Sequence, residues 1–350
     1  MARTAPTVFS HATALQILRR LPPEMLEQRS RLRQWPQHPV SLAQLDAAVS
    51  RVEELFPAPI ETRPSDANGR AFDSSMPANV ATGIIPLRRP IHFITGCAGQ
   101  NRRRGMSVCH LTRQPINDRC VIRLDDGIFA CCPELAFIQM AAGLGSTAIL
   151  ELGFELCGTY RTAKTEAPAA HNIPPITSTK KLKEFASTAS QQPGIRKATA
   201  CLKYLCDNSA SARESALAIL LELPLRDGGY ALGTPRMNAV VASTETTQQI
   251  YRAQYMKCDI AWPDSKVDVE YQSRYAHEGE TARIRDSRRA NALGELGWTV
   301  ISVTNEELNS LQACNAIASR VRKALKLKKR ALPAGYELKQ RSLRWELGLP

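Results

Sequence analysis

Two apolar runs, Tyr255–Trp262 and Val267–Tyr271, are separated by little more than Pro263-Asp264-Ser265. So short a connection closes only as a tight turn between neighbouring antiparallel strands. What flanks the pair narrows the fold further. Met237–Ser243 reads as a strand before it, after a Gly-rich turn at Asp227-Gly228-Gly229. Ala282–Leu296 reads as a helix closed by Gly297, and Trp298–Val303 as a fourth strand. Upstream, Ser211 is placed to cap a helix from Ala212 to Leu223 that Pro224 ends, and Thr304-Asn305-Glu306-Glu307 begins a last helix running to about Arg330. The predicted order is α-β-β-β-α-β-α. A central mixed sheet flanked by helices satisfies it, which makes the fold class α/β (α+β).

The front half has a different rhythm. Residues 1–60 read as a helical segment: Ser10 caps a helix from His11 to about Arg20, and Ser41 starts another with Leu42, Leu45, Ala48, Val52 and Leu55 at helical spacing. Residues 61–88, rich in Pro, Ser, Asn and Asp, read as a linker. A smaller α+β region is expected over 89–160, with strands at Ile91–Thr95, Val108–Leu111 and Val121–Leu124, then helices from Pro133 and from Ala148. Residues 161–208 read as a linker and helices, 209–330 as the larger α/β domain and 331–350 as a basic tail.

Charge separates the function classes. Lys and Arg number 46 against 33 Asp and Glu, a net +13. A surface this basic favours a polyanion, nucleic acid being the commonest. No run of apolar residues is long enough to span a membrane and no signal peptide is visible at Met1–Ser10, so a cytoplasmic protein with reduced thiols and no membrane partner is expected. The ten cysteines contain no CxxC pair. They read as small buried hydrophobes rather than as zinc ligands.

The residues that carry chemistry are acidic. Asp259 lies in the middle of one strand and Glu270 towards the end of the next, so adjacent strands can set both carboxylates on one face. Two such groups repel unless a cation or proton lies between them. A hard divalent metal uses this kind of oxygen pair, keeps its waters and takes a phosphate oxygen. Glu214, on the preceding helix, is the candidate third carboxylate.

The run CDIAWPDSKVDVEYQS, then His277, then RDSRRANALGELGWTVISVT, resembles the very-short-patch-repair-like branch of the PD-(D/E)xK endonuclease superfamily. The resemblance covers residues 209–330. It rests on Asp259, Glu270, Gln272, His277, Asp286, Arg289, Leu293, Gly297 and the strand Trp298–Val303, with Ser211-Ala-Arg-Glu214 as the opening helix. It implies a restriction-endonuclease-like core that hydrolyses phosphodiesters with Mg²⁺ or Mn²⁺. Glu214, Asp259 and Glu270 would hold the metal, Gln272 would position the attacking water, His277 would serve as general acid or base, and Asp286 and Arg289 would face the site, Arg289 as a phosphate clamp. The chain departs from the pattern at Gln272, where the family carries a charged residue, and at Ser273, where a Gly is common.

Basic residues lie where a backbone grip could form. Arg320, Arg322, Lys323, Lys326, Lys328, Lys329 and Arg330 follow one another without an acid, and Arg102-Arg103-Arg104 lies between two predicted strands. Of these, Arg102, Arg103, Arg104, Arg322, Lys326 and Lys329 are the candidate nucleic-acid contacts. The strand–RRR–strand pattern with Val108-Cys109-His110, and the run GIFACCPELAFIQMA, resemble the middle region of AbiEi-like antitoxin regulators of actinobacteria. Two functions are therefore expected as rivals: a metal-dependent DNA endonuclease in defence or repair, and a catalytically inactive DNA-binding regulator or antitoxin with a toxin or defence-system partner.

Overall fold

The computed structural model describes residues 6–30, 32, 39–58, 85–97, 103–112, 119–162, 169–272 and 280–350. In chain order its elements are β1 (Thr7–Phe9), α1 (His11–Leu18), α2 (Pro23–Glu27), β2 (Arg29–Ser30), α3 (Leu42–Leu55), β3 (Ile91–Thr95), β4 (Arg103–Arg104), β5 (Ser107–Leu111), β6 (Val121–Asp125), β7 (Ile128–Cys131), α4 (Pro133–Gly143), α5 (Ser146–Cys157), β8 (Tyr160–Arg161), β9 (Ala170–His171), α6 (Thr179–Thr188) and α7 (Ile195–Cys201). Then come α8 (Ala212–Glu222), β10 (Arg236–Ala242), α9 (Glu245–Ile250), β11 (Tyr255–Trp262), β12 (Val267–Gln272), α10 (Glu280–Glu295), β13 (Thr299–Thr304), α11 (Asn305–Asn309), α12 (Leu311–Ala324) and α13 (Tyr336–Glu346). The fold is mixed α/β. Two compact units divide the chain, one made of residues 1–144 and 161–200, the other of 145–160 and 201–350. The segment 145–160 thus belongs to the second unit, although by sequence it reads as the end of the front domain.

The first unit is built on a seven-stranded sheet ordered β2-β6-β7-β1-β3-β5-β4. Its middle strand is β1, parallel to β7 and antiparallel to β3. Thr7, Val8 and Phe9 are fully enclosed there. Sequence periodicity reads this stretch as part of a helical segment, because three residues are too few to show a strand's alternation. Pairing on both edges makes the strand. Helix α1 packs on α4, β3 and β7, and the core holds Phe9, Ile17, Ile91, Ile94, Ile122, Leu135 and Phe137.

The second unit carries the sheet β10-β11-β12-β13. Strands β10, β11 and β12 are antiparallel neighbours, and β13 joins β12 in parallel. A parallel neighbour requires a crossover, and α10 supplies it. Lys266, with φ +50, ends the turn between β11 and β12. Helix α10 sets Ala292 and Leu293 against Met256, Cys258 and Ala261 of β11, burying all five. The last predicted helix stops at Ala324 instead of running to Arg330, and a separate helix, α13, follows. Arg344 on α13 is 1 % exposed; its guanidinium donates to the carbonyls of Leu308 (3.0 Å), Asn309 (2.9 Å) and Pro350 (2.9 Å). What reads as a basic tail is thus a helix docked on its unit, and a buried Arg is stable there because α11's last carbonyls need donors. Among the described residues no helix is long and apolar enough to cross a membrane. Nine of the ten cysteines are buried, as their small apolar character predicts.

Candidate active site: a buried carboxylate cluster

Strands β11 and β12 pair with Ile260 opposite Val269 and Ala261 opposite Asp268. Asp259 and Glu270 lie just beyond that pairing. The Tyr271 N–H donates to Asp259 Oδ2 at 2.9 Å, which ties the carboxylate to the neighbouring strand. Across the other edge of β11, Met237–Ile260 and Ala239–Cys258 are paired, while Asn238 between them has φ +47. Asn tolerates the left-handed region better than most residues. Its side-chain amide donates to Glu214 Oε2 at 3.2 Å and to the Asn208 carbonyl at 2.9 Å. The break in the ladder therefore falls where the acidic residues meet.

Glu214 arrives at this place through its helix. Ser211 Oγ accepts the Glu214 N–H at 3.2 Å and donates to Glu214 Oε1 at 2.8 Å, while Glu214 Oε2 accepts the Ala210 N–H at 3.1 Å. Ser211 thus caps the helix, as its place before Ala212 predicts. The arrangement has a second consequence: both oxygens of the candidate third metal ligand already hold donors.

Asp268, two residues before Glu270, carries no mark in the sequence that sets it apart. Strand alternation puts it on the same face, and it is fully enclosed, with Glu270 6 % exposed. Neither oxygen of Asp268 has a hydrogen-bond partner, nor does Glu270 Oε1. The only available signal was the Asp-x-Glu alternation itself, which on most strands marks a solvent face.

Arg289, on α10, forms an ion pair with Glu270 Oε2 and donates to the Lys257 carbonyl at 3.3 Å. Its guanidinium thus faces Glu270, Asp259, Asp286 and Asp268. Burial pushes the carboxyls of Glu214, Asp259, Asp268 and Glu270 above their ordinary range; Asp259 adds repulsion on Glu214, Asp268 and Glu270, and Asp268 on Glu270. Arg289 pulls Asp259, Asp268 and Glu270 down but does not offset the burial. A proton held on Glu270 and shared with Asp268 gives the orphaned oxygens a donor. The buried Cys258 thiol, which also lies against Asp268, is pushed up by burial and by that carboxylate.

The donor set fits a hard divalent cation in its chemistry: oxygen ligands only, in excess of nearby positive charge, with buried oxygens unsatisfied. Among the described residues, no three of these carboxyls bring one oxygen each within 4.8 Å of one another. An Mg²⁺ site needs only one or two protein carboxylates beside waters and phosphate.

The other expected residues fall as follows. Gln272 ends β12 exposed, on the face of Asp268 and Glu270 by alternation. Asp286 is half-buried on α10, 3.9 Å from Arg285 Nε, and its charge reaches Asp259. His277 and Arg102 lie outside the described residues; Arg103 and Arg104 form the short strand β4 in the first unit. Lys326 and Lys329 are exposed. Arg322 donates to the carbonyl of Tyr230 and, at 3.4 Å, to that of Lys328, so its guanidinium serves the fold.

Fold and site together define a mixed α/β protein with a buried, electron-rich carboxylate cluster at the sheet of its second unit. Similar to it are two uncharacterized proteins of Mycobacterium tuberculosis, from strains CDC 1551 / Oshkosh and H37Rv, each 27 % identical over 125 residues. That stretch is 36 % of this chain, and the chain spans 42 % of the length of each relative. No family model and no solved structure matches the chain.

Proposed function

We propose that the second unit is a metal-dependent endonuclease, hydrolysing phosphodiester bonds of DNA in defence or repair. The observation that carries this reading is the set of buried, unsatisfied oxygens on Asp268 and Glu270 beside Asp259, with Arg289 paired to Glu270. Such a cluster is costly unless a cation or protons neutralise it. The four-stranded sheet β10-β11-β12-β13, with acids on its second and third strands and α10 as the crossover to β13, supports the resemblance to PD-(D/E)xK enzymes.

Asp259 and Glu270 would hold Mg²⁺ or Mn²⁺, with Asp268 as the added carboxylate and Glu214 behind it. When bound, the cation lowers the pKa of a bound water and offsets charge on the phosphate. The protein's residues do the rest. Gln272, at the exposed end of the same row, offers an amide to orient a water or a phosphate oxygen. Arg289, beside Glu270, would offer its planar fork of donors to a phosphate. Exposed Lys326 and Lys329, with the net charge of +13, favour the DNA backbone.

Incubating the protein with supercoiled, linear and single-stranded DNA in Mg²⁺, Mn²⁺ or EDTA tests this, beside an Asp259→Ala/Glu270→Ala variant. Metal-dependent nicking lost in the variant is expected. No cleavage by either protein, with equal salt-sensitive binding, overturns the enzyme.

That outcome would favour a second reading, a catalytically silent DNA-binding regulator or antitoxin with a toxin or defence-system partner. Two observations support it: Arg289 closes on Glu270, and an uncharged Gln stands at 272.

A further inference from the structure

The first unit contains a second cluster, unrelated to the carboxylates. His11 opens α1 directly after β1, His92 lies on β3 and His110 on β5. The sheet gathers them: β3 lies between β1 and β5, with Ile94 opposite His110, and the Ser10 N–H donates to the His92 carbonyl at 3.0 Å. One ring nitrogen from each of the three lies within 4.8 Å of the others. His92 Nδ1 and His110 Nε2 are 2.9 Å apart, and the His11 and His110 rings stack with centroids 3.6 Å apart.

We propose that His11, His92 and His110 form a binding site for a borderline divalent transition metal, of which Zn²⁺ is the representative. Nitrogens on a tetrahedral zinc, each bound at about 2.0–2.1 Å, stand about 3.3 Å apart. The His92–His110 pair is already near that spacing. A cation takes the place of the proton the two rings now share, and His11 turns out of its stack to present its lone pair. All three rings are half-buried, so solvent reaches the fourth position. Imidazole-only ligation selects Zn²⁺ and its neighbours over Mg²⁺, which prefers the oxygen donors of the second unit.

The surroundings of His11 support the site independently. Its backbone is left-handed, φ +49, a conformation of real cost for a residue with a side chain. It is held there by its N–H donating to Gln139 Oε1 at 3.0 Å, and the fully buried Ser10 Oγ lies 3.0 Å from His11 Nδ1. A hydroxyl on Nδ1 leaves Nε2 as the ligand atom, the usual way an outer partner orients a metal-binding imidazole. Burial and the neighbouring rings hold His11 near 3 and His110 near 4, so both lone pairs are available at neutral pH.

The test is calorimetric titration of Zn²⁺ into the reduced full chain with excess Mg²⁺ present, so that oxygen-ligand sites are filled. The comparison is His11→Asn/His110→Gln, in which Asn keeps a residue tolerant of positive φ. One equivalent of Zn²⁺ is expected for the parent, weakened roughly 100-fold or more in the variant. Co²⁺ absorption of the parent gives a second measure that needs no variant to fold: ligand-field bands without a thiolate charge-transfer band are expected. No binding by the parent, equal binding by a folded variant, or a thiolate band overturns the site.

Discussion

Asp268 shows how one residue can hold a site together and weaken the fold around it. Its carboxyl is enclosed without a partner, next to Glu270 and Asp259. Because burial raises its pKa, the folded state binds more protons than the unfolded one above the ordinary carboxylate range, near pH 4. The stability it permits is fully present below that range and is lost as pH rises through the raised value. Asp268→Asn should therefore stabilise the metal-free protein by about 1–3 kcal/mol at pH 8 and flatten the pH slope, read by denaturant melts at several pH values. If the variant is less stable at pH 8 than the parent, the acid is well accommodated as it stands. Arg289 has the opposite role. Arg289→Ala removes the cation paired with Glu270 and should cost roughly 2 kcal/mol in EDTA, below the full buried-pair figure because Arg289 is 24 % exposed. Added Mg²⁺ should restore part of the loss in thermal melts; a loss indifferent to Mg²⁺ would separate Arg289 from any metal site.

Among the elements, α8 and α13 are the instructive pair. The Ser211 cap of α8 is legible in sequence because a cap is a local device: its donors and acceptors lie within four residues. Ser211→Ala should cost about 1 kcal/mol, measured by chemical denaturation, and should leave Glu214 with one donor fewer. Helix α13 is not legible as a docked element. Its seven polar or charged residues over eleven describe an exposed strip, and only the docked structure shows that Gln340 and Arg344 are buried. Arg344→Met keeps the volume but removes the guanidinium from the Asn309 carbonyl and leaves the Leu308 carbonyl with only the weak Cys314 thiol, and should destabilise the second unit by about 2–3 kcal/mol. An unchanged melting transition would mean that water reaches those carbonyls.

For the whole molecule, charge is the property that acts at a distance. A net +13 predicts binding to duplex DNA that falls steeply with salt. Lys326→Ala/Lys329→Ala should weaken binding about equally for unrelated sequences and reduce the salt slope by roughly one for each phosphate no longer neutralised, read by fluorescence anisotropy across salt concentrations. A slope unchanged by both substitutions would place the binding surface elsewhere.

Features that depend on neighbours along the chain are written in the residues alone. The strands Tyr255–Trp262 and Val267–Gln272, the turn between them, the helix behind them and the strand at Thr299–Thr304 follow from apolar period, Pro and Gly positions and capping residues, all short-range. So does the nearness of Asp259 to Glu270, since a tight turn joins their strands. Features that depend on partners distant in sequence come into being only when the chain is folded. Strand β1 exists because two other strands flank it, Asp268 is interior only in the folded unit, and His11, His92 and His110 meet because the start of α1 and two strands bring them together. Burial and proximity of that kind have no period in sequence, and they set both the charge imbalance of the carboxylates and the lowered basicity of His11 and His110.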